Sequence, residues 1–216
     1  MAERRLDGRV ERGNQTRRLV LERTVRIGSS EGLEALSLGR LAAELKLSKS
    51  GVFALFGSKE ELQLATVRAA SRIYQDNVID AALARPPGLA RLWGLSEVWL
   101  RYSAERVFPG GCFFQRVRVE YSSRPGPVQD AVRAADTAWR TFVQQTVLEA
   151  QEAGEIASHR SAEQLAFELT ALWESSNTQS VLTGSDAPYP RARAGVRALL
   201  RAVATTEPEF LAGAGA

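Results

Sequence analysis

Ser48, Lys49, Ser50, Gly51 and Ala54 stand within seven positions of one another, and their types suit contact with a nucleic-acid duplex. Small side chains let a helix backbone approach base edges, and Lys49 can reach a guanine edge or a phosphate. Ser37 and Lys59 open the flanking segments, where unbonded amides and the helix dipole favour a phosphate; Arg40 falls on the outer face beside them. Read from spacing alone, the same residues fit an ordinary pair of capped helices.

The elements that must position these residues are legible around them. Leu38, Leu41, Ala42 and Leu45 recur at helical spacing, which predicts a short helix with one apolar stripe. Lys46-Leu47 then reads as a turn, and Ser48 caps a second helix whose inward positions are Val52, Phe53 and Phe56. Ser58-Lys59-Glu60-Glu61 has the form of a capping box, with Ser58 accepting from the Glu61 amide and Glu61 reaching back to the Ser58 amide. Two short helices at this spacing make a helix-turn-helix whose second member fits a major groove.

The ordered run resembles the DNA-binding core of TetR-type transcriptional regulators. It is carried by Val20 to Ile27, Gly32, Ser37, Leu41-Ala42, Leu47-Ser48, Lys49-Ser50-Gly51, Phe53, Phe56 and Ser58-Lys59-Glu60. A second stretch, Gly110 to Val132, is similar to the ligand-domain core of a subgroup of that family. Four positions depart from the pattern. Lys46 holds a turn position usually given to glycine, so a positive φ there carries a Cβ penalty. Phe53 and Leu55 occupy places where polar-tipped aromatics commonly contact phosphates. Gly28 replaces a bulky aromatic, which leads one to expect looser packing of the first helix.

Charge is distributed unevenly. Residues 1–60 carry 12 Lys or Arg against 8 Asp or Glu, whereas residues 61–216 carry 16 against 17. All three lysines, Lys46, Lys49 and Lys59, fall in the predicted helix-turn-helix. A cationic end suits a phosphate backbone, because each neutralised phosphate releases counterions. The N-terminal arginines Arg4, Arg5, Arg9 and Arg12 are interleaved with Glu3, Asp7 and Glu11; they read as a solvated arm, with minor-groove entry the alternative.

The rest of the chain predicts an all-α protein: a three-helix N-terminal helix-turn-helix domain (14–60) behind a flexible arm (1–13), then a larger helical ligand-binding and dimerisation domain (61–205) and a flexible tail (206–216). Helical patterns cover about 14–30, 38–45, 49–55, 59–84, 89–106, 112–121, 127–153, 161–182 and 191–205, broken by Pro86-Pro87-Gly88, Pro109-Gly110-Gly111 and Gly184 to Pro190. Ser161 to Gln164 reads as a second capping box. No window alternates like a strand, and none is apolar enough for a membrane span. A single cysteine and the absence of a secretory signal lead one to expect a cytoplasmic protein.

Enzymatic chemistry finds no footing. There is no glycine-rich phosphate loop, metal-ligand spacing or nucleophilic triad, so neither catalytic residues nor a cofactor or metal are expected. The lone histidine, His159, reads as a surface-loop residue, and Cys112, beside Phe113-Phe114, as a buried small hydrophobe. Aromatic stripes are the remaining constellation. Trp93 and Ser96 share a face, Phe113, Val117 and Tyr121 recur at i, i+4, i+8, and Trp139 and Val143 pair likewise, with Trp173 further on. They fit a hydrophobic core or a mostly apolar pocket.

The resemblance implies an effector cavity among these helices, and hence a small, mostly apolar ligand for Trp93, Ser96, Phe113, Val117, Tyr121, Trp139, Val143 and Trp173. It also implies a homodimer pairing through the helices near 161–182 and 191–205, with Ala162, Ala166, Ser176 and Ser180 as close-contact positions. It further implies ligand-controlled repression at a palindromic double-stranded operator, with the signal passing along the helix at 59–84.

Overall fold

A computed structural model describes residues 2–206 and 208–212, with side chains from residue 11 onward except residue 12. Its elements are α1 (Ala2–Glu31), α2 (Leu38–Glu44), α3 (Lys49–Phe56), α4 (Lys59–Tyr74), a π-helical segment (Gln75–Ile79), α5 (Asp80–Leu83), α6 (Leu89–Ala104), α7 (Phe113–Glu120), α8 (Pro127–Glu152), α9 (Ala162–Thr183), α10 (Pro188–Val203) and α11 (Glu209–Ala212). Among the described residues the fold is all-α; the only β pairing is an isolated bridge between Ile156 and Ala204.

Several bounds differ from the sequence reading. Helix α1 begins at Ala2, so residues 2–13 are helical backbone; the side chains of Arg4, Arg5, Arg9 and Arg12 lie outside the described residues. The helix expected over 59–84 is interrupted by the π-helical segment, where Asn77 bonds the Ile73 carbonyl at 2.8 Å. The C-terminal tail contains the turn α11, pinned by a fully buried Leu211.

Serine caps start the helices where the sequence places them. Ser37 accepts from the Arg40 amide, Ser48 from Gly51, Ser58 from Glu61 and Ser161 from Gln164, at 3.0–3.2 Å. The reciprocal halves of the two capping boxes do not form. The Ser58 amide bonds the Phe56 carbonyl, and the Gln164 side chain turns to Glu168.

Helix α2 ends in a left-handed residue, Lys46, at φ 54°. The Leu47 amide reaches back to Ala42 and the Lys46 amide to Ala43, closing the helix end as a Schellman motif. A side chain in this region is strained by its Cβ. Lys46→Gly is therefore expected to stabilise the protein by about 0.5–1 kcal/mol, after allowing for glycine's greater freedom when unfolded. The midpoint in a thermal melt should rise by about 1–4 °C; an unchanged midpoint would mean that the lysine makes a compensating contact. Arg106, at φ 52°, ends α6 in the same way.

The contacts divide the chain into two units: residues up to Arg72 with Phe108–Arg133, and Ile73–Val107 with Ala134 onward. By contacts helix α7 therefore groups with the helix-turn-helix, whereas the sequence reading counts it in the larger domain from residue 61. The reason is a set of close fits to α1 and its following loop. Gly28 is not loosely packed: a Cβ there would lie 2.8 Å from the Phe113 ring, which fills the space. The Glu120 carboxylate accepts from the Leu33 and Glu34 amides at 2.8 and 2.9 Å. Tyr121 donates to Glu34 at 2.8 Å.

Candidate nucleic-acid interface

Helix α3 buries Val52 and Phe56 and turns its other side to solvent. Lys49, Ser50, Gly51 and Ala54 are all exposed there, as is Ser48 at the cap. The Ser48 hydroxyl is occupied by the Gly51 amide, and Gly51 has no room for a Cβ, which would lie 2.8 Å from that oxygen. Phe53 corrects the sequence reading: it is 57% exposed instead of inward, because the core side of so short a helix is filled by its neighbours Val52 and Phe56.

The cations of this unit fall into two kinds. Arg40 is clamped between two carboxylates, with both terminal nitrogens on Glu31 and Nε on Glu44, each at 2.7 Å. Glu31 is held below its ordinary pKa by the Arg40 hydrogen bond, and Glu44 by those of Arg23 and Arg40. Lys59 donates to the Glu34 carbonyl at 2.8 Å and to its carboxylate at 3.1 Å. Lys46 and Lys49 differ: both are exposed, and no ion pair among the described residues engages either. Sequence spacing reveals only the i, i+4 pair of Arg40 with Glu44; Glu31 and Glu34 meet their partners across the fold.

Glu34 is the hub that joins α4 and α7 to the loop after α1. It accepts from Tyr121, Lys59 and Gln63, which depress its pKa to about 2, with Tyr121 the largest cause. Tyr121 is pushed up in turn, first by burial and then by that carboxylate. Glu34 is protonated more readily in the unfolded chain, so its contribution is present above the ordinary value of 4.5 and lost as pH falls towards 2. Stability should decline more steeply across that window in wild type than in Glu34→Gln, as measured by denaturation at a series of pH values. The carboxylate is 43% exposed, so solvent screening keeps the difference small. Parallel profiles would show that the hub does not hold the charge.

The residues expected to line a pocket are split between the units. Phe113 and Val117 are fully buried in the first unit, and Tyr121 faces Glu34 there. Trp93, Trp99, Trp139 and Trp173, the four tryptophans of the chain, all belong to the second. Trp99 stacks on Trp173 with centroids 5.9 Å apart; Trp139 meets Trp173 at 5.9 Å and Tyr74 edge-on at 5.2 Å. Tyr74 also accepts from the Trp99 indole at 3.0 Å and contacts Tyr102. Sequence reasoning missed Tyr74 and Tyr102 as cluster members, although the i, i+3 spacing of Trp99 and Tyr102 was a usable signal. Trp173 is fully buried, and its indole N–H has no hydrogen-bond partner among the described residues.

Trp93 lies instead under the Arg197 guanidinium at 5.1 Å, and the Ser96 hydroxyl bonds the Leu92 carbonyl. Val143 borders a hollow of about 150 Å³ between α8 and α9, with Arg140, Gln144, Glu163, Ala166, Phe167 and Thr170. The four small residues expected at a close helix contact, Ala162, Ala166, Ser176 and Ser180, are buried within the chain. The outward stripe of α9 is Gln164, Phe167, Ala171, Ser175, Thr178 and Leu182, with Phe167 59% and Leu182 83% exposed. Cys112 is buried and His159 is exposed, as their settings implied.

A serine-capped helix-turn-helix with a small-residue, cationic outer helix, joined in one chain to a second helical unit, defines a DNA-binding regulator. The family model described as bacterial regulatory proteins of the tetR family matches residues 20–66, and that of the tetracyclin repressor-like C-terminal domain matches residues 88–196. The chain belongs to the TetR family of transcriptional regulators. No curated protein matches it.

Solved structures share the fold at low identity. A TetR regulator from Chloroflexus aurantiacus is 20% identical, with a TM-score of 0.83 over 90% of this chain and 98% of that one. A putative regulator from Saccharomonospora viridis in complex with choline is 21% identical, with a TM-score of 0.75 over 89% and 100%. The reduced form of Escherichia coli NemR is 17% identical, with a TM-score of 0.71 over 88% and 98%. No helix of the described residues is long and apolar enough to cross a membrane.

Proposed function

We propose that this chain is a repressor that binds a near-palindromic operator as a homodimer and is released by a small, mostly apolar effector held in the second unit. The observation that carries the operator reading is the outer face of α3, with Lys49 exposed and unengaged beside Ser50, Gly51 and Ala54. One such helix spans a few base pairs, so two copies reading successive major grooves supply the specificity. The outward stripe of α9 supports pairing, because Phe167 and Leu182 are large apolar groups left uncovered by their own chain. Arg40 and Lys59 reach a phosphate only by exchanging a carboxylate for it, so each adds less affinity than Lys49.

The aromatic cluster supports the effector reading. Its ring faces suit an apolar ligand or a quaternary ammonium, and the unpaired Trp173 indole offers one hydrogen bond. Choline, held by the Saccharomonospora viridis protein, is the first compound to titrate. An effector acts only through different affinities for the DNA-bound and released states.

The test is binding to DNA flanking the coding region at several salt concentrations. Specific binding with a negative log–log salt slope supports the reading. Lys49→Ala should lower affinity for the preferred site by roughly 10- to 100-fold, relax base preference and reduce the salt slope by about 1. No specific binding even at low salt would leave a helical interaction or ligand-sensing module as the better account.

A further inference from the structure

Helix α3 offers few hydrogen-bonding groups to a groove floor. Ser50, Phe53 and Ala54 follow at i, i+3 and i+4 and form its outward centre, with Lys49 at one edge and the cap residue Gly57 beyond its end. The Ser48 hydroxyl is held by the Gly51 amide, and Gly51, Ala54 and Gly57 carry no side-chain donor or acceptor. Polar readout therefore falls to Lys49 and Ser50. The tallest group on this face is the Phe53 ring, 57% exposed among small neighbours. A phenyl group makes no hydrogen bond to a phosphate, and an uncovered ring on a cationic surface lacks an internal structural role. The major-groove edge of B-DNA has one apolar feature, the thymine C5-methyl group.

We propose that Phe53, with the Ala54 methyl beside it, is a specificity-determining residue that packs on thymine methyl groups of the operator. The proposal rests on the operator-binding reading above. The charge pattern argues for DNA as the occupant of this face: Lys46, in the turn before α3, and Lys49, at its first position, are exposed with no ion pair among the described residues. Recognition then divides between a cationic edge that holds the backbone or a guanine and an apolar centre that reads methyl groups.

The experiment needs no protein variant at its first step. The full-length protein selects its preferred duplex from a random-sequence library, and that duplex is resynthesised with deoxyuridine replacing one thymidine at a time. Deoxyuridine pairs as thymidine does but lacks the methyl group. At one or two positions in each half-site, affinity should fall about fourfold, the effect of exposing one buried methyl-sized group. Replacing symmetry-related thymidines together should give about the product, roughly 15-fold. Phe53→Ala should abolish the deoxyuridine penalty at those positions, whereas Lys49→Ala should retain it.

Equal affinity for every deoxyuridine duplex would overturn the Phe53 assignment while leaving operator binding intact. A penalty that persists in Phe53→Ala would assign the methyl contact elsewhere. Failure to enrich any duplex would overturn the operator reading and this proposal together.

Discussion

Trp173→Ala is expected to lower the stability of the second unit by about 3–5 kcal/mol, the range for removing a large buried aromatic. Trp173 is fully buried and is wedged between Trp99 and Trp139. Trp99 is anchored by its bond to Tyr74, so it cannot readily collapse into the space left behind. A loss of this size is a large part of the margin of an ordinary domain. Trp173→Phe should behave differently. It keeps a ring against both neighbours and deletes an indole N–H that is buried without an acceptor, a group whose desolvation costs about 1–3 kcal/mol. Equilibrium urea denaturation of both variants checks the pair: the alanine variant should lose several times as much as the phenylalanine one. Equal losses would show that the indole N–H is satisfied in solution.

Gly110→Ala is the second large effect, and it acts on the first unit. A Cβ at this position would overlap the Ser29 carbonyl and crowd the Ser30 backbone. Neither obstacle is a flexible side chain, so relief requires the loop before α7 to move off α1. Overpacking costs typically 1–3 kcal/mol and more where backbone must shift; about 3 kcal/mol is expected here. The same movement would disturb the Phe113 ring against Gly28 and the Glu120 bonds to the Leu33 and Glu34 amides. Segment-resolved amide hydrogen exchange should show faster exchange near residues 27–36 and 108–121, with α9 and α10 little changed. Uniform loss of protection over the whole chain would contradict independent loosening of the first unit.

The local parts of this protein were legible in its sequence. Ser37, Ser48, Ser58 and Ser161 cap the helices they precede, because a cap depends on three or four consecutive residues. The same holds for Lys46, whose left-handed conformation follows from a helix that must end between Leu45 and Ser48. What escaped depends on partners far along the chain. Glu120 caps the amides of Leu33 and Glu34 across more than 80 residues, and Glu155 caps Leu89 across 66. No spacing rule forecasts such pairings.

The candidate site shows the same limit. Its residue types were readable from Ser48 to Ala54, but engagement was not. Arg40 and Lys59 look like available cations in the sequence and are held by carboxylates in the fold. Phe53 looked like core because phenylalanine usually is, yet its position on α3 faces outward. The N-terminal segment was read as an arm from its mixed charges, and its backbone is helical from Ala2. Small residues on α9 suggested an external contact, but their small size serves packing inside the second unit.

The confinement of all four tryptophans to the second unit gives the protein a built-in optical asymmetry. Light absorbed at the red edge of the protein spectrum is emitted almost wholly from the proposed sensing side, while the helix-turn-helix is dark. A change in that emission on adding operator alone would therefore be a signal carried from one unit to the other, read without any attached label.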